Sequence, residues 1–393
     1  MSDFERMPIK VGINAHFLTR LPRRGIGNYG LNLVREITAS NPHIHFYLYI
    51  RHSDSEGALP SGKNIFIRKL LVPFDPFWEQ FALPFAVYKD GVKLLHSLGN
   101  TGPIFKVGSV KHVLTIHDVM FLQTGDFVSK PATLYQKAGR LYRSFITPKC
   151  ARNADAIITV SEFSKRDILS KISSLNSSQI TVTYEGCDPI FSEPSQNSSL
   201  NYLRINNLGV SGPFILCLGA DDPRKNTLRL VTAYLKLVQD NAIDETLVVV
   251  GYKGWERSLA YEAVLNAGAV DRVKFLPFIT VDELRSLYQE ALLFIYPSLY
   301  EGFGIPILEA FTVGCPVIAS SVTSIPEIGS DAIFYCNPES EDDLASAMSA
   351  LISNSELRRT MVEKGRIRAL RFDWSEVSNK TTDVYQKCLR VIG

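Results

Sequence analysis

The chain has 393 residues, 46% apolar and 21% charged, the proportions of a globular protein of about two domains; a disordered chain, a collagen-like repeat and a coiled coil are excluded. Its 42 Lys and Arg against 40 Asp and Glu leave a net charge of +2, too balanced for a general nucleic-acid binder. The balance hides a split: residues 1–200 hold 23 Lys/Arg and 16 Asp/Glu (net +7), and residues 201–393 hold 19 and 24 (net −5).

Short β-branched apolar runs alternate with stretches of helical period along the whole chain. Strands are expected at Lys10–Ile13, Phe46–Ile50, Leu94–His96, Val113–Ile116, Ala156–Val160 and Ile180–Tyr184. A second set follows at Phe214–Gly219, Thr246–Gly251, Val273–Leu276, Leu292–Tyr296, Pro316–Ser320 and Ala332–Tyr335. Strands alternating with helices give parallel sheets covered on both faces, so each half reads as a doubly wound α/β domain. The polar run Glu193–Ser199 marks the boundary region. We expect a first domain over 1–195, joined by the C-terminal helix 375–393, and a second over 205–374. Ligands of such sheets bind outside the carboxyl ends of the strands.

Six scattered cysteines, without a C-x-x-C pair or zinc spacing, read as reduced structural thiols. The N-terminus lacks a signal-type apolar stretch and no run of 18 apolar residues occurs, which points to the cytosol or a membrane surface.

The strongest local signal is Pro297-Ser-Leu-Tyr-Glu301-Gly302-Phe303-Gly304-Ile-Pro306-Ile-Leu-Glu309-Ala310, directly after a buried strand. The glycines permit a tight turn. Pro306 suits the first turn of a helix, where its missing N–H is no loss. Glu301 then lies in the loop and Glu309 about one turn inside the helix, while first-turn amides are available to hydroxyl or phosphate oxygens. Taken singly, Glu301 reads equally as a capping carboxylate and Glu309 as a solvated helix residue. After the strand ending at Gly219, Arg224 and Lys225 precede a helix beginning near Asn226, a placement suited to anionic charge. The adjacent Asp221-Asp222 pair reads as a polar turn before Pro223. His117 ends the strand Val113–Ile116, and His16 lies near another strand end. Gly25-Ile-Gly27-Asn-Tyr-Gly30 matches G-x-G-x-x-G, but ten residues separate it from the preceding strand, so a dinucleotide fingerprint is disfavoured. A Gly-rich loop capping a helix over Asn28–Ile37 is expected instead, with Arg23 and Arg24 adding positive charge. Phe74-Asp-Pro-Phe-Trp-Glu-Gln-Phe-Ala-Leu-Pro-Phe85 either dips into a membrane interface or belongs to the core.

The Glu301-x7-Glu309 pattern in its context resembles the signature of family-4 retaining glycosyltransferases of GT-B fold. The likeness extends through Gly219–Asn226, Val250–Trp255, Ser324–Glu327, Trp78–Gln80, Thr115–Asp118 and Val160–Lys165. It is similar in combination to the bacterial mannosyltransferase B-like subgroup, which builds cell-surface polysaccharides. The resemblance implies two Rossmann-like domains facing across a cleft, the first for an acceptor and the second for a nucleotide-diphosphate sugar, with the last helix returning to the first domain. It implies that Lys225 and Arg224 neutralise the diphosphate, and that Glu309 accepts from ribose hydroxyls. Glu301, with the amides of Gly302, Phe303 and Gly304, would hold the transferred sugar. Phe278 and Ile279 resemble the loop that meets the nucleotide base, although a core role fits Phe278 as well. Gly25, Gly27 and Gly219 would approach the donor, and His117 would contact its sugar and phosphate. The family's usual Arg directly after the Gly is Ala220 here, which puts the diphosphate role of Arg224 in question.

The reaction implied is front-face transfer with retention, in which the acceptor proton passes to the leaving phosphate, with no metal and no other cofactor. GDP-mannose is the first donor expected, and the acceptor is a saccharide or lipid-linked oligosaccharide at the cytoplasmic face of the inner membrane, with no nucleic acid among the partners. A sugar-nucleotide epimerase and a non-catalytic GT-B binding protein are the alternatives.

Overall fold

The computed structural model describes residues 8–19, 25–52, 57, 59–72, 74–125, 128, 133–193 and 198–390. The chain divides into two compact units, Met1–Leu122 with Pro131–Gly186 and Asp373–Gly393, and Gln123–Lys130 with Cys187–Phe372.

The first unit is built on seven parallel strands: β1 (Lys10–Asn14), β2 (His45–Arg51), β3 (Ile65–Leu70), β4 (Leu94–Ser97), β5 (Lys111–Ile116), β6 (Ala156–Thr159) and β7 (Ile180–Val182), ordered β3-β2-β1-β4-β5-β6-β7. Ile13 pairs with Leu48 on one side and with His96 on the other. The inner strands are buried on both faces, which is why they read as continuous apolar runs. β3 escapes that signal. It is an edge strand with half-buried side chains, and Arg68 and Lys69 interrupt its apolar pattern.

One expectation changes in this unit, and two others are filled in. The glycines of Gly25–Gly30 form no loop: the helix itself spans Gly25–Ser40. Gly30 is required there because a Cβ would run into Leu18. Arg23 and Arg24 lie outside the described residues. The aromatic segment is helical, with a π turn at Trp78–Ala82 between Asp75–Phe77 and Leu83–Lys89. Trp78 and Leu83 are core, but Phe74, Phe77, Phe81 and Phe85 are each more than half exposed. The same turn buries Glu79, which accepts from Tyr142 Oη (2.6 Å) and Thr101 Oγ1 (2.8 Å), and burial pushes its carboxyl up. The last helix, Trp374–Arg390, is part of this unit. Tyr385 Oη lies 2.7 Å from His96 Nδ1, and Asn41 Nδ2 donates to Thr382 Oγ1 at 3.2 Å.

The second unit has six parallel strands: β8 (Phe214–Leu218), β9 (Thr246–Val250), β10 (Val273–Leu276), β11 (Leu293–Tyr296), β12 (Val317–Ser320) and β13 (Phe334–Cys336), ordered β10-β9-β8-β11-β12-β13. Its core includes Ile215, Leu230, Val249, Leu293 and Leu344. The expected boundary moves to Gly186–Cys187. Polar composition suggested a linker further on, yet Glu193 pairs with Arg285, and Asn201 Nδ2 donates to Gln289 Oε1 at 2.7 Å, so both sides of that stretch pack on the second unit. All six cysteines are free thiols, with Cys187 half-buried and the others buried. Among the described residues, no helix is long and apolar enough to cross a membrane.

Candidate functional site

In a doubly wound sheet the strand order reverses at one place, and the chain there leaves a crevice at the carboxyl ends. In the second unit that place is between β8 and β11. The segments following these two strands are Gly219–Asn226 and Pro297–Gly304.

The first segment is shaped by Asp222, whose Oδ1 accepts from the Arg224 amide (3.1 Å) and so starts the turn Pro223–Lys225. Asn226 adopts a left-handed conformation (φ 59°) at the cap of the helix Thr227–Gln239. Its Nδ2 donates to the carbonyls of Pro297 (3.1 Å) and Pro338 (2.6 Å), fixing the ends of three neighbouring connections. Leu299 N donates to Arg224 O at 2.8 Å. In the second segment, Ser324 Oγ donates to the carbonyls of Glu301 (2.9 Å) and Phe303 (2.7 Å), and the Glu301 amide donates to Thr323 Oγ1 (3.3 Å). Gly304, at φ 119°, turns the chain into the helix Ile305–Val313 with Pro306 in its first turn.

These two segments bring Arg224, Lys225 and Glu301 together. Lys225 Nζ donates to Glu301 Oε1 at 2.7 Å and to Tyr296 Oη at 2.8 Å, and Tyr296 Oη donates to the same Oε1 at 2.7 Å. Arg224 Nη1 reaches Glu301 Oε2 at 3.2 Å while its Nε holds Asp222 Oδ2 at 3.2 Å. Glu301 is only 8% exposed. Burial opposes its ionisation, but the charges of Lys225 and Arg224, with hydrogen bonds from Lys225 and Tyr296, outweigh burial and lower its pKa to about 2. The result is a compact, charge-balanced cluster at the strand ends: two cations able to meet an incoming anion, and a carboxylate they would then release.

Glu309, half-buried on the following helix, faces different groups. Burial pushes its pKa up to about 7 against a hydrogen bond from Tyr288 Oη (3.2 Å), with Asp188 adding repulsion. Phe278 is about half exposed and lies beside Gly251, whose φ of 88° is a left-handed conformation that residues with side chains rarely adopt. Ile279 is half-buried next to it. Gly219 owes its identity to packing, because a Cβ would enter Val249. Asp221 accepts from Tyr252 Oη (3.1 Å), so the Asp pair divides between a turn and a tyrosine. A cavity of about 920 Å3 borders this turn, lined by Ala220, Asp222, Tyr252, Leu299, Val322 and Asn337 among others.

In the first unit, His117 leaves β5 and is 6% exposed, with Nε2 2.9 Å from Leu98 O and Nδ1 3.2 Å from Glu185 Oε1. His16 is buried against Phe17 (3.8 Å between rings) and bonded through Nδ1 to Asn14 Oδ1 (2.9 Å), a core arrangement. Gly25 and Gly27 sit in the first turn of their helix. Sequence reasoning missed Tyr296 and Glu185. The first ends a strand five residues before Glu301, and the second precedes Gly186, so both stood at positions where a strand yields to a turn.

Residues 201–368 match the family profile described as "Glycosyl transferases group 1", and residues 23–190 that of "Glycosyltransferase Family 4". The O-antigen chain mannosyltransferase B of Escherichia coli is 27% identical over 387 residues, covering 93% of this chain and 97% of that protein. Among solved structures, the sucrose-phosphate synthase of Thermosynechococcus elongatus superposes with a TM-score of 0.74 at 20% identity, over 98% of this chain and all of that one. Anabaena HepE in complex with UDP and glucose gives 0.68 at 16%, over 96% and 99%. These likenesses show two Rossmann-like units of the GT-B class.

Proposed function

Because the chain belongs to the group 1, family 4 glycosyltransferases, we propose that it moves a mannosyl group from GDP-mannose to a hydroxyl of a saccharide or lipid-linked oligosaccharide in O-antigen assembly, with retention at the anomeric carbon. The sugar and the pathway come from the likeness to the Escherichia coli mannosyltransferase. The chemistry is supported by one observation above all: Glu301 held between Lys225 and Arg224 at the point where the strand order reverses.

A diphosphate arriving there exchanges the carboxylate for its own oxygens on the two cations. Lys225 and Arg224 then balance the charge that grows on the leaving group as the glycosidic bond breaks. Glu301, released but held by Tyr296 and Ser324, accepts from a hydroxyl of the transferred sugar. Glu309 accepts from the ribose, the exposed Phe278 and Ile279 carry the base, and the loop amides of Gly302, Phe303 and Gly304 complete the sugar contacts. The acceptor hydroxyl enters on the leaving-group side and gives its proton to a phosphate oxygen, so catalysis is positioning and charge balance with no divalent metal needed. The first unit holds the acceptor, and His117 is its candidate contributor to catalysis.

A peripheral membrane contact rests on the exposed aromatic stripe: Phe77 and Phe81 stack at 4.8 Å, and Phe85 and Tyr88 continue the same segment. The reading is tested by thermal shift against a panel of nucleotide sugars, followed by transfer assays with and without chelator. GDP-mannose is expected to give the largest shift and chelator no loss. A different nucleotide sugar winning both assays overturns the donor, and activity lost in chelator and restored by magnesium overturns the metal-free scheme.

A further inference from the structure

His117 is locked on every side. Its amide donates to Asn100 Oδ1 (2.7 Å), and its carbonyl accepts from Ser164 Oγ (2.9 Å). Asn100 is itself in the left-handed region (φ 57°), with its own amide bonded to Thr115 O (2.9 Å). The edge of Tyr29 stands against the imidazole, with centroids 4.6 Å apart and planes at 90°. The ring therefore has one orientation, and its two nitrogens have fixed partners.

Those partners decide the protons. The Leu98 carbonyl only accepts, so Nε2 carries a hydrogen. The bond between Nδ1 and Glu185 Oε1 then requires a second proton between an imidazole and a carboxylate. Imidazole is intrinsically the stronger base of the two. The other titratable groups facing the ring do not compete. Burial lowers His96 to about 3, leaving it neutral, and burial raises the Tyr29 phenol so that it keeps its proton. Glu185 is 4% exposed, and its carboxyl group is the partner of the ring at Nδ1.

We propose that Glu185 is a positioning residue that holds His117 as the doubly protonated imidazolium, so that His117 serves transfer as a fixed positive charge and not as a base. A ring with both nitrogens protonated has no lone pair to take the acceptor's proton. That proton leaves on the released nucleotide diphosphate, and both ring protons stay on His117 from start to finish. The inference rests on the transferase reading for its function, but its protonation content stands by itself.

The test uses the full-length protein without donor, labelled with 15N at histidine. The His117 signals are identified by their loss in His117→Gln. At pH 7.5 the wild-type ring is expected to carry a hydrogen on both nitrogens, as its two acceptor partners require, while Glu185→Gln shows a hydrogen on Nε2 alone. A neutral His117 in the wild type at pH 7.5 overturns the proposal, and this spectrum decides even if Glu185→Gln does not fold. In the kinetic arm, kcat of Glu185→Gln is expected to fall about ten-fold more than wild type between pH 6.5 and 8.5, with Glu185→Asp restoring the wild-type profile. A loss equal at every pH means that Glu185 only supports the fold, and it also overturns the proposal. Absence of any transfer from GDP-mannose in the wild type overturns the donor assignment and leaves the spectral result to judge the dyad.

Discussion

Replacing Lys225 with methionine removes one charge from the Glu301 cluster and keeps most of the volume. In the wild type, Glu301 titrates near 2 where an ordinary glutamate titrates at 4.5, a preference for the charged form worth about 3 kcal/mol. Lys225, Arg224 and Tyr296 share it. With Lys225 gone, a carboxylate only 8% exposed keeps one cation, and the second unit is expected to lose about 2 kcal/mol at pH 7.5. The pH window follows from the sign. A depressed carboxylate stabilises the fold above pH 4.5 and loses that contribution as pH falls toward 2, so the difference between wild type and Lys225→Met narrows in acid. Calorimetry of Lys225→Met, Glu301→Gln and the double variant completes the cycle. The double variant is expected to recover at least about 1 kcal/mol, because the orphaned charge is gone. Zero coupling, or no loss at pH 7.5, refutes the cluster as described. In transfer assays Lys225→Met is expected to fall ten-fold or more, about 1.4 kcal/mol of transition-state stabilisation.

Glu309→Gln is expected to raise stability at pH 8 by about 1–2 kcal/mol, since a carboxyl pushed up to about 7 favours folding less as pH rises from 4.5 through 7. The same variant is expected to lose transfer ten-fold or more, and thermal denaturation beside a transfer assay checks both; unchanged transfer removes the ribose role. Gly219→Ala forces a methyl into Val249 and is expected to cost about 1–3 kcal/mol, read by chemical denaturation, with donor affinity intact in the folded fraction. Lost affinity at unchanged stability makes Gly219 a ligand contact instead. Phe81→Ser/Phe85→Ser is expected to abolish flotation with anionic liposomes while leaving transfer to a water-soluble acceptor unchanged; equal flotation removes the membrane role of the stripe.

The buried strands were legible because a parallel sheet covered on both faces admits little but β-branched and aromatic side chains. The edge strand Ile65–Leu70 was not, since half-exposed positions tolerate Arg68 and Lys69. The helix Leu134–Asn153 carries Pro148 inside it and few buried residues, so no periodic face announced it. At the site, Glu301, Lys225 and the Gly302–Gly304 turn were readable from spacing. That Arg224 grips Glu301 was not, because it depends on Asp222 aiming the guanidinium from the same turn. Tyr296 was hidden by its double nature: in sequence it is one more aromatic of a buried strand, and only its hydroxyl, at the last position, belongs to the charged cluster. The Gly25–Gly30 stretch misled in the opposite direction. Glycines that suggest a loop are helical here, and Gly30 among them lies against Leu18 where a Cβ would clash.

The return of the last helix to the first unit has a consequence for synthesis. On the ribosome, residues through Gly186 emerge early, but Tyr385, which closes over His96, and Trp374, which covers Gly186 and stands 5.8 Å from Tyr29, are among the last to appear. The first unit begun is therefore the last completed, and the second, apart from the short segment Gln123–Lys130, is continuous from Cys187 to Phe372 and free to fold before it. A nascent chain stalled short of Asp373 would carry the assembled Glu301–Lys225–Arg224 cluster and, in the first unit, all seven strands of a sheet whose His96 still lacks its tyrosine partner.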